Sequence, residues 1–181
     1  GINLAQLTLD TGLKNKGVTG IADINAVLNG NFKELSSLKG NGLLSVKDGN
    51  LWQINLFKGL AELFFIADYQ KIIFKEAAAN FTVEDKYIST ENLRLTSDQL
   101  ILDCKGKLGF DGAIDFTIYT EANKNLIRDS ADIRKFPTAV LGELSSVITT
   151  NVSGTIQKPK YNIIPAPLDL IKKLKDLFLG K

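Results

Sequence analysis

Among the side chains whose type could do chemistry, four carboxylates of one stretch (Glu84, Glu91, Asp103 and Asp115), the single thiol (Cys104) and a scatter of glycines come first. Two carboxylates at a suitable separation can cleave a glycosidic bond, one as acid and the other as base or nucleophile. By strand parity these four fall mostly on the polar side of their segments, where carboxylates form a solvated face and imply no pocket. Cys104 falls on the apolar side, the place of a buried small hydrophobe and not of a nucleophile. Gly17, Gly20, Gly30, Gly40, Gly42, Gly49 and Gly59 match neither a P-loop nor a dinucleotide fingerprint, because none sits between a strand and a helix with the required lysine or downstream acid. With no histidine and one cysteine, a zinc finger, a histidine base and an internal disulfide are excluded. Asn80-Phe81-Thr82 has the form of an N-glycosylation acceptor and nothing else supports it. Trp52 and four tyrosines, none patterned on a strand face, make a poor platform for stacking carbohydrate. The expectation is a protein that is not an enzyme and takes no cofactor or metal.

The elements that place these residues are clearest over 76–120. Phe81 and Val83 alternate with Asn80, Thr82 and Glu84, and Leu93 and Leu95 with Asn92, Arg94 and Thr96. Leu100, Leu102, Cys104 and Leu108 alternate with polar neighbours, as do Ile114, Phe116 and Ile118. A period of two is that of a half-buried antiparallel strand. The breaks at Glu84-Asp85-Lys86, Ser97-Asp98 and Phe110-Asp111-Gly112 are short and rich in turn formers, so consecutive strands pair as hairpins. Four strands of a meander thereby share one greasy face.

Around this meander the pattern predicts weak strand over 4–9, strand over 18–28, a helical turn within 32–38 and strand over 43–46. Lys47-Asp48-Gly49-Asn50 carries a hairpin-turn signal. Residues 55–66 change period, and their apolar stripe predicts a helix lying on the sheet, with Gly59 a mild weakness in it. Residues 68–74 connect it to the meander. After a polar stretch over 121–135, Phe136-Pro137 opens a second helix lined by Val140, Leu141, Leu144, Val147 and Ile148. A last strand over 151–157 is stopped by Lys158-Pro159. Beyond the stiff Pro165–Pro167 segment, residues 166–181 form an amphipathic C-terminal helix. Leu168, Ile171, Leu174 and Phe178 share its apolar face, while Lys172, Lys173 and Lys175 lie off it and suit an anionic membrane surface or a partner.

At 181 residues and 44% apolar, the chain suffices for one core, and it reads as a single β-rich domain over 1–181. The net charge of +2 gives no global basic field for nucleic acid. No apolar run is long enough to span a bilayer. Lacking methionine and opening directly on a strand-like run, the sequence reads as the C-terminal fragment of a longer chain. The fold class expected is α+β: a curved antiparallel meander with one apolar face, partly covered by two or three amphipathic helices.

Three segments resemble the C-terminal region of the AsmA-like family of the Gram-negative envelope. They are LKGNGLLSVKDGNLWQINLFKGLAEL over 38–63, ANFTVEDKYISTENLRLTSDQLILDCKGKLGFDGAIDFTI over 79–118 and VSGTIQKPKYNIIP over 152–165. The resemblance implies a non-enzymatic periplasmic module in a chain anchored to the inner membrane by an upstream segment. It implies that phospholipid, or another acyl-chain lipid, is guided along an apolar β-groove toward the outer membrane. The strip suited to this is Phe81, Val83, Leu93, Leu95, Leu100, Leu102, Leu108, Ile114, Phe116 and Ile118, with the C-terminal helix touching membrane or an envelope protein. The alternative expectation is a structural module that caps a β-assembly and docks a partner at a sheet edge.

Overall fold

A computed structural model describes residues 1–10, 17–31, 33–52, 54–63, 69–98, 100–122 and 148–164. Among these described residues, nine antiparallel strands lie in strict sequence order in one open sheet. They are β1 (Ile2–Asn3), β2 (Thr19–Asn29), β3 (Lys39–Asn50), β4 (Phe74–Glu84), β5 (Tyr87–Thr96), β6 (Leu100–Gly109), β7 (Ala113–Ala122), β8 (Ile148–Thr155) and β9 (Lys158–Ile164). Two α-helices, α1 (Leu4–Asp10) and α2 (Asn55–Leu63), accompany them among the described residues. The predicted helix opened by Phe136-Pro137 and the C-terminal helix over 166–181 lie outside the described residues, as do residues 64–66.

The turns behave as their chemistry requires. Asp85 and Lys86 both take positive φ, 50° and 67°, which is the two-residue turn whose twist matches a hairpin. Asp111 closes the turn between β6 and β7 by accepting the Ala113 amide on Oδ1 at 2.9 Å. The register then propagates one face through the sheet. Ala77, Leu95, Leu102 and Thr120 stand opposite one another across β4–β7, and Val83, Ile88, Leu108 and Ile114 do the same nearer the hairpin turns.

Four local expectations are corrected. Residues 4–9 are helix, not strand, because Asn3 Oδ1 accepts the Gln6 amide at 3.2 Å and caps α1. That cap outweighs a weak alternation. The Asp-Gly signal at 48–49 does not reverse the chain: Asp48 takes φ 51° inside β3, opposite a register shift between Thr19 and Ile21, and the strand runs through it as a bulge. Pro159 does not end the sheet, since β9 follows β8 after the two-residue turn Ile156-Gln157 and proline is tolerated on an edge strand. Ile148, expected on a helix, opens β8 opposite Thr120.

The apolar side of α2, made of Leu56, Phe57, Leu60 and Ala61, is buried in one cluster with Leu95, Leu100, Leu102, Cys104, Ile114, Ile118 and Val152. A tyrosine fixes this helix to the last strand. The Tyr161 hydroxyl donates toward the Asn55 and Leu56 carbonyls, each at 2.9 Å, and its ring lies over Gly59. Glycine is therefore required at 59 for packing. A Cβ there would meet Tyr161 Cε2 and Cζ at 2.6 Å. By helix propensity alone Gly59→Ala would gain about 1 kcal/mol; the collision makes the expected result a loss of about 1–2 kcal/mol. In a Tyr161→Ala background the same change should become neutral or stabilising, and urea unfolding of the four proteins of the cycle measures the difference. Burial, and secondly the charge of Glu62, pushes the Tyr161 phenol from 10.0 up to about 12. Its stabilisation is accordingly whole below about pH 10 and is lost as pH rises toward about 12.

Candidate apolar face and the opposite depression

All ten strip residues expected from the sequence fall on one face. Phe81 and Val83 share it with Gly42 and Gly40 of β3, and Leu93, Leu95, Leu100, Leu102, Leu108, Ile114, Phe116 and Ile118 follow through the β4–β7 ladders. Their depths differ. Val83, Leu95, Leu100, Leu102, Ile114 and Ile118 are buried, whereas Phe81, Leu93, Leu108 and Phe116 are half-buried. The first six are core side chains, so any ligand surface on this face begins at the others.

Exposure on this face is uneven, and near the hairpin turns Val83 and Ile114 stay buried beside a more open Ile88. Leu95 is 1% exposed, but Ile24 and Ile88, on the same face, reach 57% and 37%. Ile24, Ala26 and Leu28 of β2 could have been added to the strip from their alternation in the sequence. Ile88 could not. Arg94 pairs with Ala78 and Ser89 with Thr82, so β5 carries one residue more than β4 between those points. The bulge at Glu91–Asn92 switches parity, and Ile88 and Thr90 join the face of Leu93 and Leu95. Asn92 Oδ1 holds the bulge by accepting the Asn80 amide at 2.9 Å.

Two aromatic rings smooth this surface by lying over neighbouring glycines. A Cβ on Gly106 would come within 2.9 Å of Phe116 Cδ1, and one on Gly42 would run into the Phe81 ring. The thiol of Cys104 is buried here, and burial, then the charge of Asp103, pushes it up to about 12. It stays protonated and weakly nucleophilic at neutral pH.

The other face is mostly polar on β4–β7 but carries exposed Val27 and Leu43 on β2 and β3. Asp103 lies 3.4 Å from Arg94 and Glu84 lies 2.8 Å from Lys39, both as exposed pairs. The hydrogen bond from Lys39, then its charge, holds the Glu84 carboxyl below its usual range. Asp115 and Glu91 are exposed. A depression of about 580 Å³ on this face is lined by Asn25, Val27, Asn41, Leu43, Asn80 and Asn92 among others, and a second of about 690 Å³ adjoins it. Trp52 is no surface platform, being buried against Phe74. Among the described residues no cluster of histidine, cysteine, aspartate and glutamate could hold a metal, and no helix is long and apolar enough to cross a membrane. Leu168, Ile171, Lys172, Lys173, Leu174, Lys175 and Phe178 lie outside the described residues. No protein-family model, curated protein or solved structure matches the chain.

Proposed function

We propose that this chain is a non-enzymatic lipid-handling module. Its sheet curves and is partly covered by helices on its apolar face, and the open remainder receives acyl chains. One observation carries the reading: the apolar face continues past the core as a row running across the strands. Leu28, Ile88 and Leu108 lie along that row, joined in register by the buried Val83 and Ile114, from β2 to β7, and Ile24 and Ile88 on that face are exposed. At about 4.8 Å between strands, six strands span roughly 24 Å, against about 30 Å for a whole hydrocarbon core. That is room for an extended acyl chain. Such a chain needs a dry, continuous apolar strip and no polar anchor. The resemblance to AsmA-like proteins supports phospholipid as the ligand and the periplasm as the setting.

The purified chain, incubated with vesicles of phosphatidylethanolamine and phosphatidylglycerol containing a fluorescent-acyl phospholipid, is expected to withdraw probe and to carry lipid in native mass spectrometry. Leu28→Lys with Ile88→Lys should weaken uptake about tenfold or more while circular dichroism stays unchanged. A protein that takes up no phospholipid under these conditions refutes the proposal.

A further inference from the structure

The face opposite the acyl strip has a feature of its own inside the sheet. The two depressions there share Leu43, Asn80 and Asn92, which joins them into one trough. Its centre lies on β3, β4 and β5, each of which has a strand on both sides, so no edge makes it. The trough opens where the β4–β5 ladder is irregular: Ala78 pairs with Arg94 and Thr82 with Ser89, and the register shifts between those pairs. Asn92 Oδ1 is occupied in holding this opening, accepting the Asn80 backbone amide at 2.9 Å and the Thr90 hydroxyl at 3.4 Å. The side-chain amides of Asn41 and Asn80 and the Glu91 carboxylate, by contrast, bond to no described residue. Leu43 stands between Asn25 of β2 and Asn80 of β4 and is 55% exposed, an isobutyl group left open among amides. Each depression is of the size of ordinary ligand sites, about 300–1,000 Å³.

We propose that this trough binds a neutral oligosaccharide. An asparagine side chain offers two donors and an acceptor, and serine and threonine hydroxyls both donate and accept, which matches a sugar hydroxyl that must itself do both. Asn41, Asn80, Thr82 and Ser89 place such groups on three adjacent strands, and the Glu91 carboxylate adds a charged acceptor. Leu43 gives the C–H side of a sugar ring an apolar surface. Other ligand classes fit less well. Among the described residues lining the first depression Glu91 carries the one charge, so no cation awaits a phosphate or a carboxylate. In the second, Arg94 is paired with Asp103 at 3.4 Å. A nucleobase needs a ring to stack on, and the Phe81 ring turns to the opposite face over Gly42. Two joined depressions suit more than one sugar unit. The inference concerns the face away from the acyl strip and does not need the lipid reading.

An NMR titration of the isotope-labelled whole chain with maltoheptaose, cellopentaose and chitopentaose tests it. At least one of them is expected to shift the side-chain amides of Asn41 and Asn80 and the backbone amides of Leu43 and Glu91, with a dissociation constant of about 0.1–5 mM. Asn41→Ala combined with Asn80→Ala changes two exposed side chains and should weaken binding about tenfold, while the rest of the spectrum stays in place. Glycerol phosphate, the charged core of a phospholipid headgroup, should leave the same signals unmoved. The proposal is overturned if none of the three oligosaccharides moves these signals at about 10 mM. It is equally overturned if glycerol phosphate moves them as strongly, or if the double variant binds as the unaltered chain does.

Discussion

Trp52→Ala is expected to destabilise the protein by about 3–5 kcal/mol, a large share of what holds a domain of this size folded. The indole is 1% exposed. Its ring centroid lies 5.3 Å from that of Phe74 at an interplanar angle of 31°, and Phe57 of α2 approaches the same phenylalanine at 6.4 Å. Nε1 donates to the Ile72 carbonyl at 3.0 Å. One side chain thus joins the end of β3, the entry to β4 and the apolar side of α2. Truncation opens a large cavity and leaves a buried carbonyl without that donor. Trp52→Phe keeps much of the bulk and loses the hydrogen bond, so its cost should be nearer 1–2 kcal/mol. Urea unfolding followed by circular dichroism reads both. A loss below about 1 kcal/mol for the alanine variant would show that this junction does not hold α2 to the sheet.

Gly106→Ala is the second large effect, expected at roughly 2–5 kcal/mol. Gly106 sits in β6 opposite Thr90 and Phe116 with φ +150°, a conformation that side chains rarely adopt. An added Cβ would run into the Asp115 carbonyl oxygen and come within 2.7 Å of Phe116 Cα, both backbone atoms that cannot turn aside. Gly112→Ala is the control. Its φ of +85° is also unfavourable, but the nearest atom to an added Cβ is Gln157 Oε1 at 3.6 Å. It should cost about 1 kcal/mol. The difference between the two isolates the collision of neighbouring strands. Equal losses would mean that backbone conformation alone is responsible.

Both residues show how far the chain could be read in advance. Gly106 stands among alternating Leu102, Cys104 and Leu108, and nothing local distinguishes a glycine that a partner strand presses upon from one that merely weakens a strand. Gly59 is the same case on a helix: its propensity is a property of one residue, while the need for it comes from Tyr161, far along the chain. Trp52 was visible as a large aromatic near a helix start, but its partners Phe74 and Ile72 are met only when β4 closes against β3.

Side-chain alternation follows from the pleat of each strand, so the sequence by itself determined that ten apolar residues of β4–β7 share a face and that the short polar breaks between them turn back as hairpins. Backbone pairing is non-local. Only the tertiary structure decided that Asp48 bulges where a turn was signalled, that the extra residue at Glu91–Asn92 brings Ile88 onto the apolar face, and that Pro159 lies within an edge strand. It also decided which part of that face is core and which is open. The physical reason is that burial and edge exposure are set by what lies across space, whereas period and turn chemistry are written in consecutive residues.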